Sequence, residues 1–398
     1  MHPAFLPDGR RLLFRNVSSD PQWRGIYAAS LDSKATTLVT GTTGIATPQS
    51  KVSVVGGHLL FVQESSLMAA PFDDARLRPD REAQPVAQTS GPFSVSEAGL
   101  LVYAQRSSLY QLAWVDRNGL EIEPLPVRGD LYAPTLSHDG RRVALKRFLE
   151  GEGTAGDIWV YDLARGAVGT RVTTDPSDDR LPLWSPDDEW LIFGANRSGR
   201  YALYRKRSTG VGREEAVFAP DFNVEARSWS RDGRSLIVND SSSEQDLWSV
   251  SLPDAKASRL FNTPSKEWGG QISPDGKWIA YSSDETGQAE IYVQPFPLSG
   301  ARWRISTAGG VWPKWRADGR ELFFTDVNRR LMAVDVNFVP SFEAGVPRQM
   351  FDATTLRDIP FYFDVAADGQ RFLVVKPAPA ADARPITLVQ NWMANLRR

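Results

Sequence analysis

The stretch Pro182-Leu183-Trp184-Ser185-Pro186-Asp187-Asp188 places a tight turn directly after an apolar and aromatic pair. Proline presets the backbone φ of the first central turn residue, and aspartate can bond its own backbone two residues later. The β-rich run Leu191-Ile192-Phe193 follows. Short β-rich runs on both sides of such a turn predict a β-hairpin.

The same turn recurs along the chain. It occurs as Leu6-Pro7-Asp8-Gly9, Ser137-His138-Asp139-Gly140, Ser185-Pro186-Asp187-Asp188, Ser230-Arg231-Asp232-Gly233, Ser273-Pro274-Asp275-Gly276, Arg316-Ala317-Asp318-Gly319 and Ala366-Ala367-Asp368-Gly369. From Asp139 onward the central Asp returns after 48, 45, 43, 43 and 50 residues. Two degenerate copies, Gly56-Gly57-His58 and Ser96-Glu97-Ala98-Gly99, fill the interval before Asp139. The chain therefore contains nine repeat units.

Each unit has room for four short strands. An innermost strand precedes the turn, as at Ser228-Trp229, and a second one follows it, as at Leu322-Phe323-Phe324. Third and fourth strands are indicated by runs such as Ile291-Tyr292-Val293 and Leu260-Phe261. A four-stranded sheet of this kind has two apolar faces. Both faces are covered when several such sheets pack radially against one another. The sequence therefore predicts an all-β protein, a β-propeller of four-stranded antiparallel blades.

The repeat resembles the TolB-type, WD40-like propeller repeat, whose pattern Pro-x-Trp-Ser-Pro-Asp-Gly is matched closely by Pro182 to Asp187. The resemblance covers essentially the whole chain. In more detail, the chain looks like the propeller region that follows the kinase and membrane segments of bacterial receptor-type serine/threonine kinases. The matching stretches are Phe5-Leu6-Pro7-Asp8-Gly9, Leu67-Met68-Ala69-Ala70-Pro71-Phe72-Asp73, Trp114-Val115-Asp116-Arg117-Asn118-Gly119, Tyr292-Val293-Gln294-Pro295-Phe296-Pro297 and Gln390-Asn391-Trp392. This likeness implies an extracytoplasmic or periplasmic sensor.

Two ways of closing the repeat array are open. One ring could hold eight or nine blades. Alternatively, the six units from Asp139 to Asp368 form a six-bladed TolB-like ring, and the first three units are left from another ring. We favour the second arrangement, with three degenerate units over residues 1–127 and a six-unit propeller over 128–398.

Composition excludes several classes of partner. The 398 residues carry 46 Lys and Arg against 48 Asp and Glu, without a basic run, so we expect no nucleic acid to bind. No stretch approaches the roughly 20 apolar residues that span a bilayer, and residues 1–5 lack the features of a signal peptide. We therefore expect no membrane insertion by this chain. The absence of cysteine excludes disulfides and cysteine nucleophiles.

Catalytic motifs do not assemble. Val143-Ala144-Leu145-Lys146 is similar to the lysine strand of a kinase, yet the sequence has no glycine-rich loop, His-Arg-Asp or Asp-Phe-Gly. A serine hydrolase needs a Gly-x-Ser-x-Gly elbow, which is absent, and a base, for which only His2, His58 and His138 are available. We expect the chain to be no enzyme and to hold no cofactor.

Two acidic pairs raise the question of a metal site. Asp178-Asp179 and Asp187-Asp188 lack the ligand spacing of a calcium loop. Asp187-Asp188 is a repeat turn in which the usual glycine is replaced, so we predict a solvated turn and no metal.

Function is expected where side chains depart from the repeat. The position seven residues before each turn Asp precedes the innermost strand, so these side chains should surround one mouth of the channel. They and their neighbours form the predicted rim, which consists of Tyr132, Asp179, Arg180, Glu225, Arg227, Glu267, Trp268, Trp312 and Phe361. Mixed charged and aromatic groups suit a peptide, a partner protein or a small polar ligand. An internally paired rim without any ligand remains the alternative.

The sequence thus predicts a non-catalytic binding module that acts as a sensor or an interaction scaffold. The enzymatic alternative is the gating propeller of a prolyl-oligopeptidase-type peptidase whose catalytic domain is absent from this chain. A lyase or lactonase that uses the channel itself would need clustered metal ligands, and the chain has only three His.

Overall fold

The computed structural model describes residues 3–16, 25–33, 36–41, 51–63, 66–89, 93–104, 110–148, 155–241, 245–254, 256–338, 341–354, 356, 363–379 and 386–396. The chain divides into two compact units. Unit 1 consists of Met1–Ser108, Phe148–Ala155 and Pro379–Arg398, and unit 2 of Leu109–Arg147 and Gly156–Ala378. The described residues form nine antiparallel sheets, which confirms the predicted all-β propeller blades.

Unit 1 contains three sheets. Its first blade is β1 (Ala4–Phe5), β2 (Arg11–Asn16), β3 (Gly25–Ser30) and β4 (Thr36–Gly41). Its second blade is β5 (Val52–Val55), β6 (His58–Gln63), β7 (Ser66–Asp73), β8 (Arg78–Pro79) and β9 (Gln84–Gln88). Its third blade is β10 (Phe93–Val95), β11 (Leu100–Ala104) and β37 (Ile386–Gln390).

Unit 2 contains six sheets, named blades I to VI. Blade I is β14 (Leu131–Leu136), β15 (Arg142–Phe148), β16 (Gly156–Asp162) and β17 (Val168–Arg171). Blade II is β18 (Asp179–Trp184), β19 (Trp190–Ala195), β20 (Ala202–Arg207) and β21 (Glu215–Phe218). Blade III is β22 (Val224–Trp229), β23 (Ser235–Asp240), β24 (Leu247–Ser251) and β25 (Lys256–Arg259). Blade IV is β26 (Glu267–Ile272), β27 (Trp278–Ser283), β28 (Glu290–Pro295) and β29 (Trp303–Arg304). Blade V is β30 (Val311–Trp315), β31 (Glu321–Thr325), β32 (Arg330–Asn337), β33 (Glu343–Ala344) and β34 (Arg348–Asp352).

Blade VI combines two distant segments. Its inner strands are β35 (Phe363–Val365) and β36 (Arg371–Pro377), and its outer strands are β12 (Tyr110–Asp116) and β13 (Glu121–Gly129). The predicted boundary between residues 127 and 128 therefore falls inside β13. Because β12 and β13 complete a blade of unit 2 while β37 completes one of unit 1, the units have different bounds from those predicted.

The innermost strands of unit 2 close a ring of six. Strands β14, β18, β22, β26 and β30 contact one another in that order, and β35 contacts β14. Blades V and VI meet through the Lys314 to Asp364 ion pair at 2.7 Å and the edge-to-face rings of Phe323 and Phe372. Each blade is thus covered on both faces by its neighbours.

Two short 3-10 helices complete the described structure, at Leu163–Arg165 and Trp392–Asn395. No helix among the described residues is long and apolar enough to cross a membrane.

The turns show the chemistry that the sequence predicts. In blade IV the Ser273 hydroxyl donates to Asp275 Oδ1 at 2.5 Å, and the same oxygen accepts the Lys277 backbone N–H at 3.0 Å. Gly276 has φ +76°, in the left-handed region that favours glycine. The Ser273 and Asp275 side chains therefore hydrogen-bond within the hairpin itself.

Second strands supply the core between blades. Leu191 and Phe193 of β19 are fully buried against blade I, whereas Ile192 between them is fully buried against blade III. Side chains alternate across a strand, so one strand serves both interfaces.

Asp188 explains the missing glycine of the blade II turn. It has φ +58°, which is costly for a residue with a side chain, yet its carboxylate bonds the neighbouring turn of blade I. Oδ1 accepts the His138 N–H at 2.8 Å and Oδ2 accepts the Asp139 N–H at 3.0 Å, and His138 Nδ1 also lies 2.8 Å from Oδ1. Asp188 therefore links two adjacent blades, and at 8% exposure it is buried, so the prediction of a solvated turn is wrong at this residue.

We expect Asp188→Gly to destabilise the protein by about 1–3 kcal/mol, although glycine is the usual residue of the repeat. Relief of the left-handed backbone is worth about 1 kcal/mol, less than the loss of hydrogen bonds to a charged acceptor. Urea unfolding measures the difference. Asp188→Asn keeps one acceptor oxygen and should lie between the two proteins. A glycine variant at least as stable as the parent would contradict this account.

Candidate functional site

A central cavity of about 510 Å³ lies within unit 2 and is lined by all six innermost strands. At one end it opens between the hairpin turns. The second residue of each turn lines this opening, namely His138, Pro186, Arg231, Pro274, Ala317 and Ala367. The sequence identified these turns but not their second residues as a ring, because Pro and Ala there also fit ordinary turn chemistry.

The residues that line the cavity lie one position after those of the predicted rim. Within the described part of the chain, residues seven before each turn Asp do not line the cavity, whereas residues six before it do. The lining residues at this position are Ala133, Leu181, Ala226, Gly269 and Trp312. Of the predicted rim, only Arg227 and Trp312 line the cavity. Phe361 lies outside the described residues.

A repeated backbone irregularity causes this offset. The register of the innermost strand shifts beside its partner in blades I to V. In four of these strands the residue six before the turn Asp has positive φ: Ala133 at +51°, Leu181 at +52°, Gly269 at +70° and Trp312 at +59°. A β-bulge with one residue in the left-handed region re-aims side chains that strict alternation would place elsewhere.

Trp312 and Arg227 meet across the cavity although blade IV separates their blades. The Arg227 guanidinium lies 4.5 Å from the centre of the Trp312 ring. Between them stands Gly269, where an added Cβ would come within 3.1 Å of Trp312 Cε3. Asn239 Oδ1 accepts both Arg227 Nε–H at 3.0 Å and the Gly269 N–H at 3.1 Å. A missing side chain on blade IV therefore lets blades III and V join in a cation–π contact.

Arg227 is also the end of a charged series that runs between blades. Its guanidinium bonds Glu225, which pairs through its other oxygen with Arg180 at 2.9 Å. Burial lowers the pKa of Arg227, and the adjacent Glu225 carboxylate opposes that effect. Burial raises the pKa of Tyr132 to about 12, and the charges of Glu225, Arg227 and Arg180 also act on it. Three residues of the predicted rim, Arg180, Glu225 and Arg227, are thus paired with one another.

Three further residues extend the network and were not predicted. Arg180 stacks on Tyr201 with 3.4 Å between the guanidinium carbon and the ring centre, and the Tyr201 hydroxyl donates to Asp178 Oδ2 at 2.6 Å. Asp178 also pairs with Lys146, which is 4% exposed. Burial lowers the pKa of Lys146, opposed by Asp178. Lys146, whose sequence surroundings are similar to those of a kinase lysine, therefore forms an ion pair with the residue that precedes the first strand of blade II.

Asp179 and Glu267 do not face the mouth. Asp179 is fully buried, and this burial raises its pKa to about 7. Glu267, at the equivalent position of blade IV, is 2% exposed, accepts the Thr263 hydroxyl at 2.6 Å, and has its pKa raised by burial. An acid of the preceding blade also raises the pKa of each carboxyl: Asp157 acts on Asp179, and Asp246 acts on Glu267. The residue eight before the turn Asp is the first residue of the innermost strand. In blades II and IV its side chain is buried between adjacent blades.

Trp268 and His58, which the sequence analysis also named, do not line the cavity. Trp268 is half-buried at the start of β26. His58 in unit 1 lies 2.9 Å from the Gly56 carbonyl oxygen, and His2 is outside the described residues. Among the residues that the structure covers, no group of three or more acidic or histidine side chains is arranged to hold a metal ion.

Comparisons with known proteins agree with the fold. No family model matches the chain. It is 27% identical over 180 residues to the Tol-Pal system protein TolB of Anaeromyxobacter dehalogenans, covering 41% of each protein. It is 26% identical over 153 residues to the uncharacterized peptidase YuxL of Bacillus subtilis, covering 38% of this chain and only 22% of that protein. The match thus spans well under half of either relative.

A solved structure of a putative TolB from Agrobacterium tumefaciens superposes with a TM-score of 0.53 at 20% identity, covering 69% of this chain and 99% of that one. At this identity the likeness concerns the fold. Together the sequence and structure matches support a TolB-like β-propeller.

We expect Gly269→Ala to lower the free energy of unfolding by about 1–3 kcal/mol more than Gly276→Ala does. Both glycines have φ near +70°, so both variants carry the same backbone cost, but only position 269 would press against Trp312. Urea unfolding gives the difference, and tryptophan fluorescence should change only for Gly269→Ala. Equal losses would show that the close approach of Trp312 to Gly269 is not a constraint.

Proposed function

We propose that unit 2 is a non-catalytic binding module whose central cavity takes a peptide segment of a partner protein or a small polar ligand. The observation that carries this proposal is one cavity lined by all six innermost strands and open between the turns. Ligand sites in proteins are typically concave, mostly apolar and equipped with a few polar groups.

The lining has this character. Trp229, Trp315 and Phe363 supply aromatic surface, and Gln271, Lys314 and Asp364 supply polar groups. Several of these polar groups are already oriented by the protein. Gln271 Nε2 donates to the Arg227 carbonyl at 2.5 Å, while Asp364 bonds Lys314 and the Leu136 N–H. Such pre-oriented groups reduce the entropy lost when a ligand is held.

The charged network at the opposite end supports binding rather than catalysis. The charges of Lys146, Asp178, Arg180, Glu225 and Arg227 are paired with one another, as in a structural ion network. We assign it the role of holding blades I, II, III and V in register beneath the cavity. Arg227 and Trp312 are the rim residues that a ligand entering from the turns would meet.

The wider role that we propose is an extracytoplasmic sensor or interaction scaffold. This proposal depends on the resemblance to TolB-type repeats and to the propeller region of receptor-type kinases, as at Tyr292-Val293-Gln294-Pro295. Repeat rings commonly carry binding on one face. The location follows only from that resemblance.

A gating propeller of a serine peptidase is the second candidate, favoured by the similarity to the uncharacterized peptidase YuxL. Gating requires that a substrate pass through the channel. The Arg227 and Trp312 contact across the cavity and the paired network beside it stand against such passage. We therefore place binding first.

Blocking the turn opening should abolish ligand capture. Ala317 and Ala367 line the opening and are exposed, so Ala317→Trp with Ala367→Trp should fill it without disturbing the core. Purified protein is used to select peptides from a random dodecapeptide phage library, and synthetic peptides are then titrated. We expect at least a tenfold loss of affinity in the blocked variant.

The matched control is Ala257→Trp, an exposed position on the outermost strand β25, which should bind as the parent does. Circular dichroism and thermal unfolding confirm that each variant is folded. If no peptide is selected, or if the blocked variant binds as well as the control, the cavity does not bind peptides and that part of the proposal is wrong.

A further inference from the structure

The opening of the central cavity bears two basic side chains. Of the six second turn residues that line it, four are proline or alanine, whereas the other two are His138 and Arg231. These two lie on the turns of blades I and III, on either side of Pro186 in the turn of blade II. Both are exposed, His138 with 60% of its side chain accessible. A ligand that enters between the turns therefore passes these two groups.

The aspartates of the turns lie outside the cavity lining. The third residue of each of the six turns of unit 2 is an Asp, and none of these described residues lines the cavity. In the blade III turn, Asp232 Oδ1 accepts the Ser230 hydroxyl at 2.6 Å and the Arg234 N–H at 3.0 Å, so this carboxylate is bound within its own turn. The ionisable side chains that the turns contribute to the lining are therefore both basic.

Deeper in the cavity, the charged side chains of the lining are paired. Asp364 is the one acid among the described residues that line the cavity. Its Oδ1 bonds Lys314 Nζ at 2.7 Å, and its Oδ2 accepts the Leu136 N–H at 2.7 Å. Arg227 pairs with Glu225. The charges of these groups are thus balanced within the protein.

Arg231 is the exception among the charged lining residues. Its Nη1 donates to the Pro274 carbonyl at 3.3 Å, and no carboxylate in the described part of the chain forms an ion pair with its guanidinium. A guanidinium stays charged in proteins and has five N–H donors. Several of these donors are therefore left for a ligand at the opening.

His138 is held in one orientation by the protein. Its Nδ1 lies 2.8 Å from Asp188 Oδ1. Because a carboxylate only accepts hydrogen bonds, the Nδ1 proton is directed at Asp188, and Nε2 takes no part in this bond. When Nε2 is also protonated, it donates a hydrogen bond, and Asp188 balances the positive charge of the ring. His138 thus supplies a second donor for an anion at the opening.

The walls below the opening present aromatic surface without indole donors. Trp229 donates its Nε1–H to the Gly233 carbonyl at 3.2 Å, and Trp315 donates its own to the Gln271 carbonyl at 3.0 Å. Both rings are half-buried and line the cavity. Because their donors are used within the protein, these rings offer a ligand apolar contact only.

We propose that the cavity binds an acidic peptide, with a carboxylate on Arg231 and His138 at the opening and an apolar side chain between the aromatic walls. This inference rests on the proposed function of unit 2 and names the chemistry of its ligand. The guanidinium fork matches a carboxylate with two parallel hydrogen bonds, which are stronger than bonds between neutral groups. The carboxylate belongs either to an Asp or Glu side chain or to a chain terminus.

The test compares the peptides that the parent protein and Arg231→Glu select from the random dodecapeptide phage library. We expect Asp and Glu to be enriched at least threefold in the peptides of the parent, and Lys and Arg in those of Arg231→Glu, because the charge at the opening is reversed. Arg234→Glu is the matched control. It makes the same change of charge in the same turn, at an exposed residue outside the lining, and should select acidic peptides as the parent does.

Synthetic peptides distinguish the two sources of the carboxylate. Each selected sequence is titrated calorimetrically as a C-terminal amide, as an amide with Asn and Gln in place of Asp and Glu, and as that neutral sequence with a free C-terminal carboxylate. We expect the neutral amide to bind the parent at least tenfold more weakly than the acidic amide. Recovery of affinity by the free terminus would assign the carboxylate to a chain end, and no recovery would assign it to a side chain.

The proposal is overturned if acids are not enriched, if the acidic and neutral amides bind equally, or if Arg231→Glu binds the acidic peptides as tightly as Arg234→Glu does. Peptides that lose affinity for the blocked Ala317→Trp, Ala367→Trp variant but not for Arg231→Glu would keep the cavity as a binding site and refute the anion. If the parent selects no peptide, this inference and the peptide part of the proposed function are both wrong. Circular dichroism confirms that each variant is folded.

Discussion

The pairing of β12 with β36 is the interaction on which the rest of unit 2 depends. It runs without a break from Tyr110 opposite Pro377 to Asp116 opposite Arg371. Bringing together segments some 250 residues apart costs about 5 kcal/mol of loop-closure entropy. Leu112, Leu373, Val374 and Val375 are fully buried in the blade that forms, and each contributes roughly 1.5–3 kcal/mol. Burial of these four side chains is thus of the size needed to offset the loop-closure entropy.

Closure has consequences at both faces of blade VI. One face joins the core of blade I, through Leu131 and Val143, and the other joins blade V, through Phe323 and Phe372. Arg117, in the hairpin after β12, adds a bond to the Gly369 carbonyl at 2.7 Å and an ion pair with Glu321 of blade V. Without this blade the cavity would be a groove open along one side. The candidate site is thus a product of ring closure rather than of any single blade.

The blades were predictable from the sequence because their information is local. The side chains of a turn such as Ser273 to Gly276 bond residues at most five positions away, and the flanking apolar runs define the strands. The composition of blade VI was not predictable, because nothing in Tyr110–Asp116 indicates a partner in Arg371–Pro377. The same limit applies at Asp188, whose partners His138 and Asp139 lie some 50 residues away in another blade.

The site was predicted in part for a similar reason. Counting seven residues back from the turn, with the neighbouring positions, found Arg227 and Trp312, but most of the residues that line the cavity lie six residues before the turn Asp or closer to it. The left-handed residues Ala133, Leu181 and Trp312 cause the shift, and no sequence rule assigns positive φ to such side chains. Burial of Asp179 and Glu267 was missed because a charged residue beside a mouth normally faces solvent. Their acid neighbours lie on the preceding blade.

Hydrogen exchange of the full chain, followed by mass spectrometry, tests ring closure most directly. Closure predicts that the amides of Gln111–Val115 exchange as slowly as those of Leu191–Ala195, which lie in the middle of the intact blade II. Fast exchange at Gln111–Val115 while Leu191–Ala195 stay protected would contradict it, because β12 would then not be held in blade VI.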